Sequence, residues 1–303
     1  RLQNAGIAQG CLPLTVKDAR LSLQKTLQAT RTIAFKEAVT AGRQVLTIDN
    51  LWFSYGDRAI LRDINLTVNE GEFVAVMGRN ASGKTTLVKH LNGLLKPTRG
   101  RVNVCGTDTR QKSVSELSRQ VGYVFQNPDD HLFADTVEEE IAFALVNQRM
   151  ETDKITRLVD SMMDRFKLRQ YAKVYPRDLS GGEKQRLALA SVTVSGPRII
   201  VLDEPTRGMD DALKKELALF LEEYRRRGNT VIMVTHDVEM IAGCADRVIL
   251  LSEGRVVVDG DKRQALSRAL LFSPQINRLA QALSRYGVSD ATLTVDEMVK
   301  QLL

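Results

Sequence analysis

"GRNASGKT", residues 78–85, decides how the rest of the chain is read. Gly78 and Gly83 bracket four residues, and Lys84 and Thr85 follow directly. Backbone N–H groups of such a loop can wrap phosphate oxygens, and the helix behind it turns its positive end toward them. Lys84 is then expected at the β and γ phosphates and the Thr85 hydroxyl on Mg2+. The context agrees: the short β-branched run "FVAVM" (73–77) reads as a buried strand, and "KTTLVKHLNGLL" (84–95) as a helix stopped by Gly93 and Pro97. A plain Gly-rich turn has no need of both neighbours. The phosphate-binding set is Gly78, Arg79, Asn80, Ala81, Ser82, Gly83, Lys84, Thr85 and Thr86.

Downstream, "RIIVLDE" (198–204) is an apolar run ending in two carboxylates. Asp203 can hold Mg2+ through water, and Glu204 can polarise a water for attack on a γ phosphate. Acids that only cap a loop are common at strand ends, so this reading depends on the phosphate loop upstream. "LSGGEKQR" (179–186) opens a helix with a Ser180–Glu183 capping box, and Gly181 and Gly182 leave its first N–H groups open to an anion.

Between these landmarks, short strands with turns fill 45–77, and "GRVNVCG" and "VGYVF" add more. From about 127 to 195 apolar positions recur at helical spacing, as in "VEEEIAFAL" and "KITRLVDSMMDRFKL". After Pro197, strands and helices alternate, which predicts an α/β fold around a parallel sheet with a helical insertion. The 303 residues are 43% hydrophobic and 26% charged, enough for a sizeable core. The net charge of +6 is scattered among 37 acids and reads as a solvated surface, so no nucleic-acid partner is expected. Arg225, Arg226 and Arg227 follow an amphipathic run and are expected to cap its carboxyl end. Cys11, Cys105 and Cys244 make no metal-ligand or redox spacing and read as thiols in a reducing compartment. No run reaches the roughly 18 apolar residues of a membrane span, and residues 1–30 are too polar for a signal peptide. The chain opens on Arg1 rather than Met, as a piece of a longer or processed product would.

Taken together, these motifs resemble the nucleotide-binding domain of ATP-binding cassette (ABC) proteins, over roughly residues 45–265. The resemblance implies a P-loop NTPase core with an antiparallel β subdomain, a helical insertion subdomain and a small helical tail. It implies that Tyr55 in "FSYG" stacks on adenine. It makes Gln126 in "VFQNP" the Q-loop residue, contacting Mg2+ and the attacking water and coupling to a membrane partner. "LSGGE" matches the family signature, Asp210 in "EPTRGMD" the D-loop acid, and His236 in "VTHD" the switch histidine at the γ phosphate. Outside that context His236 reads as a structural histidine and Tyr55 as packing. Two cassettes then dock head to tail, so that Ser180, Gly181, Gly182 and Glu183 serve a nucleotide held by the partner. Ala81 departs from the family's Gly, and a positive φ there costs about 1 kcal/mol. Met209 replaces the common Leu.

One repeat remains. "LTVKDA" from Leu14 matches "LTVDEM" from Leu293, each with a Thr-x-x-acid capping box (Thr15 with Asp18, Thr294 with Glu297) and an amphipathic helix. Their separation is about one cassette with its tail. Residues 1–43 are therefore expected to be the tail of a preceding cassette, 44–265 the cassette and 266–303 its own tail. The stripe Leu12, Val16, Ala19, Leu23 and Leu27 is expected to lie against the carboxyl-terminal helices. "QNPDDHLFADTVEEEIAFAL" and "FSPQINRLAQAL" resemble ATPases of energy-coupling factor importers of vitamins and metal ions. That implies a peripheral subunit on the cytoplasmic face of the cell membrane, with a membrane scaffold subunit and a substrate-capture subunit as partners, and Leu132 and Phe133 facing the scaffold. Competing readings are the ATPase of another ABC transporter class and a soluble ABC protein without a transport role. The last would bring cluster cysteines or long coiled coils, which the sequence lacks.

Overall fold

Alternation builds the first sheet. Ile64, Leu66 and Val68 are buried while Asn65 and Thr67 between them are exposed, the period-2 pattern of a strand with one face on a core. The structure, a computed structural model, describes residues 15–24, 42–268 and 273–302. In chain order, α1 (Val16–Gln24) is followed by β1 (Gln44–Tyr55), β2 (Arg58–Asn69), β3 (Phe73–Gly78) and α2 (Lys84–Lys89). Then come β4 (Arg99–Val104), β5 (Thr107–Asp108), α3 (Val114–Leu117) and β6 (Val121–Val124). The helical stretch holds α4 (Val137–Asn147), α5 (Thr152–Arg165) and α6 (Gly181–Thr193). After it run β7 (Ile199–Asp203), α7 (Asp211–Arg226), β8 (Thr230–Val234), α8 (Val238–Cys244), β9 (Arg247–Ser252) and β10 (Arg255–Asp261). The last elements are α9 (Lys262–Arg268), α10 (Gln275–Leu283) and α11 (Val295–Leu302).

Two sheets result. One has the order β2-β1-β4-β5, antiparallel throughout; the other has the order β10-β9-β3-β8-β7-β6. In the second, β3 pairs with β8, β8 with β7 and β7 with β6, all parallel. Every residue of β3, β7, β8 and β6 is buried, as expected of parallel strands covered on both faces. A shared cluster of β-branched and leucine side chains, including Val76, Leu87, Leu91, Val121, Ile199 and Val201, seals α2 against this sheet. The α/β class and the helical middle follow the sequence reading.

Helix α2 is shorter than its sequence suggests. The His90 ring Nδ1 lies 2.7 Å from the Thr86 carbonyl, the group that the His90 N–H would take in a continuing α-helix. The His90 N–H donates to Leu87 instead, and the Leu91 N–H to Val88, so the chain tightens to three-residue turns. Burial pulls the His90 pKa down, which keeps the ring neutral and requires the proton on Nδ1. The arginines sit at the carboxyl end of α7 as read, Arg225 and Arg226 in its last turn and Arg227 at its cap; Arg225 and Arg226 pair with Glu222, and Arg227 with Glu223.

Contacts divide the described residues into two compact units, 42–236 with 249–257, and 15–24 with 237–248 and 258–302. Within the second, Ile276, Leu279, Ala280 and Leu283 give α10 one apolar face. Leu23 of α1 and Met298 of α11 are buried in that cluster, with Val16, Ala19, Val295 and Leu302 at its edge. The Thr294–Glu297 box closes in both directions, with the Thr294 N–H donating to the Glu297 carboxylate at 3.2 Å; at Thr15 the hydroxyl caps the helix and also donates to Asp18 at 2.7 Å. The Asp18 N–H donates to the Thr15 hydroxyl at 3.1 Å, and the Glu297 N–H to that of Thr294 at 3.2 Å. The Asn277 side chain holds the turn between α10 and α11 by donating to the carbonyls of Asp290 and Thr292. Leu12, Leu27 and Cys11 lie outside the described residues.

Leu23→Ala should therefore loosen α1 from α10, at a local cost of about 2–5 kcal/mol. Amide hydrogen exchange over 276–283 is expected to quicken, and unchanged protection there would refute the packing role.

Candidate functional site

The phosphate loop is held open by three left-handed residues. Gly78 has φ 148°, Ala81 φ 62° and Gly83 φ 103°. A Cβ on Gly78 would meet the Leu251 carbonyl oxygen at 2.3 Å, and one on Gly83 the Leu61 side chain at 2.8 Å, so neither position admits a side chain. Ala81 does carry one in that region, the strained arrangement anticipated for it. Arg79, Asn80 and Ala81 are exposed at the tip; Ser82 is buried and Thr85 and Thr86 are half-buried. The loop and the β2 residues Arg58 and Ile60 line a concavity of about 250 Å³. Arg58 and Ile60 carry no motif, so only the approach of β2 to the loop reveals them.

Lys84 turns back on its own loop. Its Nζ donates to the carbonyls of Gly78 at 2.8 Å and Arg79 at 3.0 Å, bracing the loop from inside. Burial lowers its pKa, opposed by the charges of Glu204 and Asp203. The ammonium thus sits close to both carboxylates that end β7. Asp203 is 2% exposed; its Oδ2 accepts from the Tyr123 hydroxyl at 3.1 Å, and its buried Oδ1 has no hydrogen-bond partner. Glu204 continues the ladder by one bond, its N–H donating to Val234 at 2.8 Å. It then turns at φ 51°, which swings its side chain off the strand. Its Oε1 lies 3.2 Å from His236 Nε2. Burial raises the Glu204 pKa, while His236 and Lys84 act to lower it. A carboxylate made more basic by burial and oriented by an imidazole is suited to accept a proton from water.

A lone buried carboxylate oxygen is the right kind of atom to meet a divalent cation or its water. Among the described residues no group of three His, Cys, Asp or Glu gathers to chelate an ion. An ion here would take most of its ligands from phosphate and water, as Mg2+ commonly does, so the donor set fits Mg2+ with Asp203 and Thr85.

Other expected site residues are placed apart, with contacts of their own. The Tyr55 ring is 53% exposed and held edge-on by Phe53 at 4.8 Å, free to offer a face. Glu183 accepts from the Ser180 N–H at 2.8 Å, closing the capping box, and Ser180 and Gly181 are exposed. The Ser180 hydroxyl, then that of Tyr171, holds the Glu183 carboxyl below its ordinary range. Asp210 caps α7, accepting from the Leu213 N–H at 2.8 Å. Gln126 is exposed at the head of a turn tied to α6 twice, by Lys184 to Asp129 at 2.8 Å and by His131 Nε2 to the Ser191 hydroxyl at 3.0 Å. Among the described residues none of these side chains bonds the phosphate loop.

Leu132 and Phe133 part company. Leu132 is fully buried and fills the core, a correction to its expected place on a docking surface, while Phe133 is 56% exposed. The Glu140 carboxylate, itself buried, sets this division by accepting from the N–H groups of Phe133 and Ala134, both at 2.8 Å.

With this geometry stand the comparisons. The ABC transporter family profile matches residues 61–207. The energy-coupling factor transporter ATP-binding protein EcfA1 of Clostridium novyi is 39% identical over 250 residues, 79% of this chain and 89% of that protein. The structure of cbiO1 from Clostridium perfringens, described as part of the ABC transporter complex cbiONQ, superposes with TM-score 0.69 at 32% identity over 81% of this chain and 98% of that one. An ATP-binding cassette in a post-hydrolysis state with ADP and Pi gives TM-score 0.66 at 28% identity, over 72% and 98% of the two chains. The chain belongs to the ABC transporter ATP-binding proteins. It spans less than half the length, 42–43%, of the first curated relatives it matches, putative ABC transporter ATP-binding proteins of Methanosarcina.

Three outcomes test the site. Glu204→Gln should keep ATP binding and lower turnover about 100-fold or more. In the unaltered protein the raised carboxyl pKa means that turnover falls, as pH drops, earlier than an ordinary carboxylate would dictate; a pH–rate profile reads this. Ala81→Gly should relieve about 1 kcal/mol of backbone strain, seen as a higher melting temperature, and no rise would contradict strain at Ala81.

Proposed function

We propose that this chain energises an energy-coupling factor importer, as a peripheral ATPase on the cytoplasmic face of the cell membrane. A membrane scaffold subunit receives its motion, and a separate subunit captures the substrate, a vitamin or metal ion. The observation that carries this reading is the groove beside Gln126. Phe133 and Phe143 stand edge to face at 4.5 Å, 56% and 45% exposed, and with Leu94 and Val114 they line a concavity of about 330 Å³. Exposed aromatic pairs of this kind suit an inserted apolar helix. The names of two relatives, an energy-coupling factor ATP-binding protein and a cassette of the cbiONQ complex, support the same class. The competing reading, the ATPase of another ABC transporter class, expects a different neighbourhood around Gln126.

In this reading Tyr55 stacks on adenine, and the loop N–H groups and Lys84 offset phosphate charge. Glu204 accepts the proton of the attacking water, and His236 orients Glu204 and meets the γ phosphate. Mg2+, held through Thr85, Asp203 and Gln126, would supply charge neutralisation at the phosphates. The open start of α6 at Ser180–Gly182, together with Glu183 and Asp210, serves the nucleotide of a second cassette. Relatives of which this chain matches only 43% support an upstream cassette in the same polypeptide, with 1–43 as its tail, 44–265 as this cassette with its helical insertion, and 266–303 as its own tail.

Phe133→Ser combined with Phe143→Ser should uncouple transport while leaving basal ATPase activity. The measurement is co-purification with the membrane scaffold alongside ATP turnover; an intact complex with full transport would remove this groove from the interface.

A further inference from the structure

Tyr123 belongs to no motif of the site, yet its hydroxyl is the one protein donor given to Asp203 among the described residues. The parallel register of β6 and β7 sets Tyr123 opposite Val201, two residues before Asp203. Residues two apart share a strand face, so the Tyr123, Val201 and Asp203 side chains leave the sheet on one side. The gap of about 6.6 Å along the strands is what a phenol crosses to put its oxygen 3.1 Å from Oδ2. Phe125, next on that face, lies edge-on to the Tyr123 ring at 4.8 Å and 64° and fixes its plane. A phenol carries its proton at neutral pH, and a carboxylate oxygen can only accept, so Tyr123 is the donor in this pair. With Oδ2 so engaged, the carboxylate cannot rotate freely, and the oxygen left without a partner is the buried Oδ1.

We propose that Tyr123 is a positioning residue that locks the Asp203 carboxylate so that Oδ1 faces the divalent cation carried with the nucleotide. The proposal rests on the reading of Asp203 as the metal-facing carboxylate. Partners of this kind, one bond removed from an ion, typically contribute 10–100-fold to metal affinity. A phenylalanine would keep the ring packing and leave Asp203 without its donor, free to turn.

The test uses the full chain and Mn2+ as the probe, titrated by electron paramagnetic resonance with a non-hydrolysable ATP analogue present. Tyr123→Phe should weaken Mn2+ binding about tenfold, while affinity for the analogue in chelator stays as in the unaltered protein. Tyr123 replaced by 3-fluorotyrosine keeps both shape and donor and should retain Mn2+ affinity. Phe125→Leu loosens the ring without removing the hydroxyl and should retain most of it. Unchanged Mn2+ affinity in Tyr123→Phe overturns the proposal, as does equal loss in the 3-fluorotyrosine protein, which would point to packing alone. Absence of nucleotide-dependent Mn2+ binding in the unaltered protein would instead bring down the reading of Asp203 on which the proposal stands.

Discussion

Three parallel strands that end level are the constraint from which the chemistry of this cassette follows. Val76 of β3 pairs with Val234 of β8, and Val234 with Asp203 of β7, so the three chains leave the sheet from one row. The phosphate loop starts two residues beyond that row, Glu204 one and His236 two. Ligands of open α/β sheets gather at the carboxyl ends of strands because there alone several loops emerge together. A slip of one residue in either pairing would turn Asp203 to the opposite face of the sheet. These wholly buried strands resist such a slip largely through packing, so the seal of Leu87 and Val88 of α2, with Leu91 just beyond it, is part of the site's precision.

Burial makes the same place costly and useful. Lys84 and Asp203 are both almost wholly out of water, and charges there need partners. Lys84 finds them in two carbonyls of its own loop, and Asp203 in a phenol. Neither arrangement satisfies the group fully, since the Asp203 Oδ1 stays bare. A bound nucleotide and its cation would complete what folding leaves open, which is how a site couples ligand binding to local stability. Glu204 shows the same economy of place. Its left-handed backbone and raised pKa both stem from a carboxylate turned inward at a strand end.

The tail unit is organised on simpler terms. α10 is too short to stand alone, and its apolar face is closed by α1 and α11, two helices each begun by a threonine hydroxyl cap. The likeness of these two helices in sequence is matched by a likeness of role, each laying one stripe on the same small core.

The sequence by itself determined everything that rests on near neighbours. The Gly-rich loop, the two carboxylates after an apolar run, the Ser180–Glu183 and Thr294–Glu297 capping boxes, the Thr15 cap and the helical middle each depend on residues a few positions apart, whose local geometry repeats in any context. What only the tertiary structure decided depends on which strands lie side by side and in what register. Tyr123 reaches Asp203, and His236 reaches Glu204, across strands that sequence distance does not relate. Leu132 goes inward and Phe133 outward because Glu140, on the following helix, holds the N–H groups of Phe133 and Ala134. Helix α2 stops early because the His90 ring takes the carbonyl that the next turn requires, a choice made when that ring is buried against Phe53. In each case a side chain competes for a partner that exists only once the chain has folded, and periodicity carries no trace of such competition.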